Sequence, residues 1–174
     1  MDAVFIVLLT IATGAVVKIA DYFADTGKKG LLGVALGIAY GLAIGYLCAA
    51  TEASTIFLAA VLASALSGKI DKKEHFAGFM AMFFFLFIFG VSAVDVGLLA
   101  VFAIAAYIDE KKPLYGYRGV LDIVAVIIGI LGFGWINAFF ILAFDSGYVL
   151  ASAAFPEKAV KAGAKRKVPG KKAP

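Results

Sequence analysis

Gly33-Val-Ala-Leu-Gly37-Ile-Ala-Tyr-Gly41-Leu-Ala-Ile-Gly45 sets four glycines at a strict spacing of four inside an uncharged run from Gly30 to Ala50. In water each glycine would weaken a helix by roughly 1 kcal/mol relative to alanine. In a bilayer the helix is enforced, because every backbone N–H and C=O has to be paired within the segment. The spacing then lines all four glycines on one stripe, where a second helix can approach backbone to backbone. This predicts the central helix of an all-α, polytopic transmembrane bundle. The stripe has two readings: tight packing, or one face of a substrate path.

Composition agrees. The chain has 174 residues, 63% of them hydrophobic and 16% charged, with a mean hydropathy of +1.00. A soluble domain is about 45–50% apolar and about a quarter charged. The charges come in clumps, separated by runs of membrane-span length. A single cysteine, Cys48, excludes an internal disulfide and a cysteine metal cluster. No basic n-region precedes the first apolar run, so that run is read as a retained helix.

Outward from the glycine run, helix 1 is expected over about 3–25, with Lys18 snorkelling from its end. Helix 2 covers 31–49 and helix 3 covers 55–67. The apolar runs Phe76–Ile108 and Gly119–Phe155 hold 33 and 37 residues. As single helices each would reach ~50 Å or more, too long for one crossing. Gly90 to Asp95 and Gly132 to Trp135 are the natural breaks. They give helices 4 (76–89), 5 (94–108), 6 (119–132) and 7 (135–155). The Phe-rich face of helix 4, with Phe79, Phe83, Phe84, Phe85 and Phe87, is expected to face lipid. Residues 1–156 form the transmembrane domain. Residues 157–174 read as a disordered basic tail.

With seven helices, all 16 Lys and Arg fall on one face. The positive-inside rule makes that face cytoplasmic, with the N-terminus out and the C-terminus in, in a multi-pass protein of the cell membrane. A five-helix alternative puts Lys111, Lys112 and Arg118 on the wrong side.

Three groups of acids are candidates for chemistry. Lys18, Asp21 and Asp25 share one helix face. Asp21 and Asp25, joined by Asp71, are candidate ligands for Mg²⁺ or Mn²⁺, which bridge to substrate phosphate; the plain alternative is a solvated helix end with a Lys18–Asp21 pair. Asp71, Glu74 and His75 also share a face if helix 4 begins near Ile70. Glu74 and His75, the only histidine, are candidate acid–base groups; the alternative is a capping box formed by Asp71 and Glu74. Asp145 lies in mid-helix 7, where a carboxylate is a functional candidate by default. Its expected partners are Tyr40, Asn137, Ser146 or water. Asp95 is a candidate cap for helix 5, and Asp122 a candidate partner for Arg118. Asp109 and Glu110 sit at the unfavourable end of helix 5, with Lys111 and Lys112 to compensate.

Two function classes follow, with a third beside them. The first is a membrane enzyme acting on a phosphate-bearing lipid or lipid precursor at the cytoplasmic interface. A divalent metal would act as charge clamp, with Lys69, Lys72 and Arg118 neutralising phosphate. The second is a transporter or channel for a small solute or ion, built around Asp145. The third is a subunit of a larger membrane complex. Expected partners are membrane lipids, anionic head groups through the tail, and a second copy of the chain; nucleic acid is not expected.

Overall fold

The computed structural model describes residues 3–26, 30–112 and 119–155, and among them the fold is all-helical. Seven α-helices follow one another: α1 (Ala3–Thr26), α2 (Leu31–Ala50), α3 (Ser54–Leu66), α4 (Lys73–Phe89), α5 (Val96–Lys111), α6 (Gly119–Ile130) and α7 (Trp135–Ala154). A short 3-10 turn, Lys69–Asp71, joins α3 to α4. Both long apolar runs break where glycine permits positive φ, at Gly90 (φ +77°) and at Gly132 and Gly134 (φ +89° and +99°). Asp95 caps α5 as expected, its Oδ1 accepting from Leu98 N at 2.9 Å.

Three helices, α1, α2 and α7, are long and apolar enough to cross a membrane. α3 and α6, with 13 and 12 residues, are shorter apolar helices. Large apolar side chains cover much of the exterior, among them Leu31, Phe87, Val96 and Leu150, each at least 70% exposed. The Thr10 and Thr13 hydroxyls bond back to the carbonyls of Ile6 and Leu9, so these two buried hydroxyls are satisfied within α1.

The closest packing is in three parallel pairs, α2 with α4, α1 with α7 and α3 with α5, while α6 lies against α5 and α7. Along α2 and α4 the contacts advance together: Gly37 meets Glu74, Gly41 meets Gly78 and Gly45 meets Phe85. Along α1 and α7, Gly14 meets Phe144 and Tyr22 meets Phe155. Along α3 and α5, Thr55 bonds Asp95 and Ser64 bonds Glu110. A parallel pair requires the intervening helix to return the chain, so α3 runs back between α2 and α4, and α4 between α3 and α5. The glycine stripe is thus the seat of α4, and Gly41 also borders a cavity.

One end of the bundle collects Thr26, Lys69, Lys72, Lys73, Lys111 and Lys112. The other is tied by Ser92 N to Cys48 O and by Ser54 Oγ to Ala93 O. Its charged residues among those described are Glu52 and Asp95. The core between the ends is built on Leu47, Ile56, Phe102, Leu121 and Ile141, all with no exposed surface.

Four expectations change. Lys18 does not snorkel; it is 5% exposed, with Nζ 4.9 Å from the ring centre of Tyr148. α4 begins at Lys73 with Lys72 as N-cap and no side-chain cap, so Asp71 and Glu74 form no capping box. Of the α4 phenylalanines, Phe83, Phe84 and Phe87 face outward, whereas Phe79 lines a cavity and Phe85 packs on Tyr46. Asp109 is not merely offset by neighbouring lysines: it caps α6 across the connection, accepting from Val120 N at 3.0 Å and Leu121 N at 2.7 Å. Arg118, and with it the Arg118–Asp122 pairing, lies outside the described residues, as does the 157–174 tail.

Candidate functional site

α1 and α7 cross without intervening side chains. A Cβ at Gly14 would overlap the carbonyl oxygen of Phe144, and one at Gly147 that of Ile11. This approach brings the α7 residue Tyr148 onto the polar turn of α1. Its hydroxyl donates to Asp21 Oδ2 at 2.8 Å, and Lys18 Nζ donates to Tyr148 Oη at 3.5 Å. From α4, His75 Nε2 lies 3.6 Å from Asp21 Oδ1. From α2, Tyr40 Oη lies 3.2 Å from His75 Nδ1. The line Lys18–Tyr148–Asp21–His75–Tyr40 therefore joins α1, α7, α4 and α2.

Two spaces meet at this line. On the basic-end side is a polar vestibule of about 320 Å³, bordered by Lys18, Lys69, Lys72, Asp21, Asp25 and Asp71. On the inner side is a cavity of about 240 Å³ walled by Val17, Ile44, Phe57, Met82, Ile141 and Phe144, with Ser64, Asp109, Glu110 and Asp145 also on its lining. Asp21, Lys69, His75 and Tyr148 border both. A pocket with apolar walls and a few convergent polar groups is the usual form of a ligand site.

The expected site residues sort as follows. Asp21, Asp25, Asp71, His75, Lys69 and Lys72 all border the vestibule. Glu74 borders neither space; it is 6% exposed, packed beneath Gly33 and Gly37 of α2. Asp71 belongs to the 3-10 turn, not to α4, so it shares no helix face with Glu74 and His75. Asp145 is buried, and it borders the same cavity as Asp21 and His75 rather than a separate deep site. Ser146, one of its expected partners, turns outward and bonds Leu142 O.

The vestibule lysines are already matched by carboxylates. Lys72 Nζ is 2.5 Å from Asp25 Oδ1. That hydrogen bond raises the lysine pKa above its ordinary value, against a smaller desolvation effect. Lys69 pairs with Glu110, whose side chain is 5% exposed and also accepts from Ser64 Oγ at 3.2 Å. Among the described residues no group of three or more His, Cys, Asp or Glu stands ready to hold a metal ion.

Tyr148, Glu110 and the burial of Lys18 were missed by the sequence reading. The one signal for Tyr148 is its place three residues after Asp145, on the same face of α7. Nothing in the sequence says that this face meets α1. No protein family, curated protein or solved structure matches the chain.

Proposed function

We propose that the chain is a multi-pass protein of the cell membrane, N-terminus out and C-terminus in, and an enzyme acting on a phosphate-bearing lipid or lipid precursor at the cytoplasmic interface. The observation that carries this is the junction of a charged vestibule with a mostly apolar cavity at Asp21, Lys69, His75 and Tyr148. A polar head and an apolar chain in one molecule match that pair of spaces. The exposed apolar exterior and the gathering of the described lysines at one end support the membrane setting.

The vestibule charges favour a divalent cation arriving with the phosphate. Lys18, Lys69 and Lys72 face Asp21, Asp25 and Asp71, so a bare phosphate would unbalance the site. Mg²⁺ is commonly held by one or two carboxylates plus substrate phosphate and water. Asp21 and Asp25, one helical turn apart, meet that requirement without a third protein ligand. His75 is the acid–base group. The basic tail adds attraction to anionic head groups.

The test is calorimetry of Mg²⁺ and Mn²⁺ into purified protein with and without a short-chain phosphatidic acid. We expect metal binding that strengthens with the lipid and disappears in Asp21→Ala/Asp25→Ala. Binding indifferent to both lipid and substitution would overturn the metal–phosphate reading.

A second reading, transport of a small solute or ion, is favoured by Asp145, a buried carboxylate on the cavity wall. Uptake into proteoliposomes that Asp145→Asn abolishes would support it over the enzyme.

A further inference from the structure

The inner cavity carries more acid than base. Asp21, Asp109, Glu110 and Asp145 lie on its lining, and Lys69 is the lysine among the described residues there. Lys18, behind Tyr148, is a second lysine close by. Four carboxylates therefore face two ammonium groups. Asp21 accepts from the Tyr148 hydroxyl, Asp109 from Val120 N and Leu121 N, and Glu110 from Ser64 Oγ beside Lys69. Accepting is what an ionised carboxylate does. Asp145, 9% exposed, adds a fourth acid on α7. An excess of negative charge in a water-poor space favours a cationic occupant.

Size and walls choose the cation. Mg²⁺ and Ca²⁺ need several oxygens converging on one point at about 2–2.6 Å. Among the described residues no three His, Cys, Asp or Glu side chains converge in that way. The acids stand around a space of about 240 Å³, much larger than a bare ion. The rest of its wall is rich in rings. Tyr40 comes from α2, Phe57 from α3, Phe79 from α4, and Phe144 and Tyr148 from α7. Phe57 and Phe144 meet edge to face, with ring centres 6.0 Å apart. A cation over an aromatic face is attracted by the ring quadrupole, most strongly where water is excluded. Tyr148 already makes this contact within the chain, with Lys18 Nζ 4.9 Å from its ring centre.

We propose that the inner cavity binds an organic ammonium ion, its charge set among the carboxylates and its apolar groups against the rings. This goes beyond the lipid-phosphate reading, because the inner cavity alone carries it. A phosphate is repelled by the same four acids, and a neutral apolar molecule leaves their charge unanswered. An ammonium with an apolar body satisfies both parts of the wall.

The experiment uses the full chain in dodecyl maltoside, an uncharged detergent without an ammonium group. The probe is radiolabelled benzyltrimethylammonium, measured by equilibrium dialysis against empty micelles. Its competitor is neopentylbenzene, in which carbon replaces the charged nitrogen at the same shape, with its concentration corrected for partition into micelles. The ammonium should bind saturably, one per chain, and at least about tenfold more tightly than the neutral isostere, the range of one desolvated cation–π contact. Asp145→Asn should remove most of that preference while leaving the binding of the neutral isostere unchanged. Equal binding of the two molecules to the unaltered protein would overturn the proposal, and that result depends on no variant folding. Complete competitive displacement by Mg²⁺ would also overturn it, as the mark of a metal site. Preference for the ammonium together with absent metal–phosphate binding would refute the lipid-phosphate reading and leave the ammonium site standing.

Discussion

Gly41 of α2 rests on Gly78 of α4 so closely that a Cβ on Gly41 would overlap the Gly78 carbonyl oxygen. Neither helix can yield locally, because the obstacle is backbone. Gly41→Ala is therefore expected to separate α2 from α4 and to destabilise the protein by about 3 kcal/mol or more, the upper range for overpacking. Gly30→Ala, at the exposed start of α2 with ordinary space around it, should be near neutral. Unfolding in mixed micelles by SDS titration measures both.

Asp109 and the start of α6 form a second such dependence. Its two carboxylate oxygens accept from Val120 N and Leu121 N, satisfying donors that the first turn of a helix leaves open. Asp109→Ala should cost about 1–2 kcal/mol. Asp109→Asn keeps one acceptor oxygen and should cost less. Hydrogen exchange at Val120 and Leu121 should rise in the alanine variant before exchange elsewhere does.

The Lys72–Asp25 pair gives a pH dependence whose sign is fixed. Its hydrogen bond raises the Lys72 pKa above the ordinary 10.5. Folding therefore favours the protonated lysine. The contribution is fully present below the unfolded-state value and fades as pH rises through the higher folded-state value. Both groups are well exposed, at 38% and 50%, so the effect is small, within about 1 kcal/mol. Stability measured between pH 9 and pH 12 should fall slightly less steeply in Lys72→Met than in the unaltered protein.

Seven helices were legible because their limits are local. Charges, Pro and Gly mark the ends of apolar runs, and the positive φ values at Gly90 and Gly132 lie where length alone demanded a break. The start of α4 was misread because Lys73, Glu74 and His75 look like a polar turn. Glu74 is nevertheless helical and buried, since Gly33 and Gly37 leave room for it. The site was legible only in part. Asp21 and His75 were visible as interfacial groups, but their common cavity with Asp145 depends on α7 packing beside α1. Those two helices stand at opposite ends of the chain, and no periodicity in either encodes its partner. Lys18 was misplaced for the same reason: it looked free to reach water, and Tyr148 covers it.

The parallel pairing of α2 with α4 and of α3 with α5 puts Glu52 and Lys112 at opposite ends of the bundle. Both are exposed. If the basic end is cytoplasmic, single cysteines at these positions should differ in access to a membrane-impermeant maleimide. Cys48 is fully buried and is the only native cysteine, so Cys48→Ala gives a clean background. In intact cells Glu52→Cys should label and Lys112→Cys should not, and permeabilisation should equalise them. The reverse pattern would invert the orientation and move the vestibule to the outer surface. Labelling of both in intact cells would contradict the separation of the two ends by a membrane, and with it the multi-pass arrangement on which the lipid-phosphate reading depends.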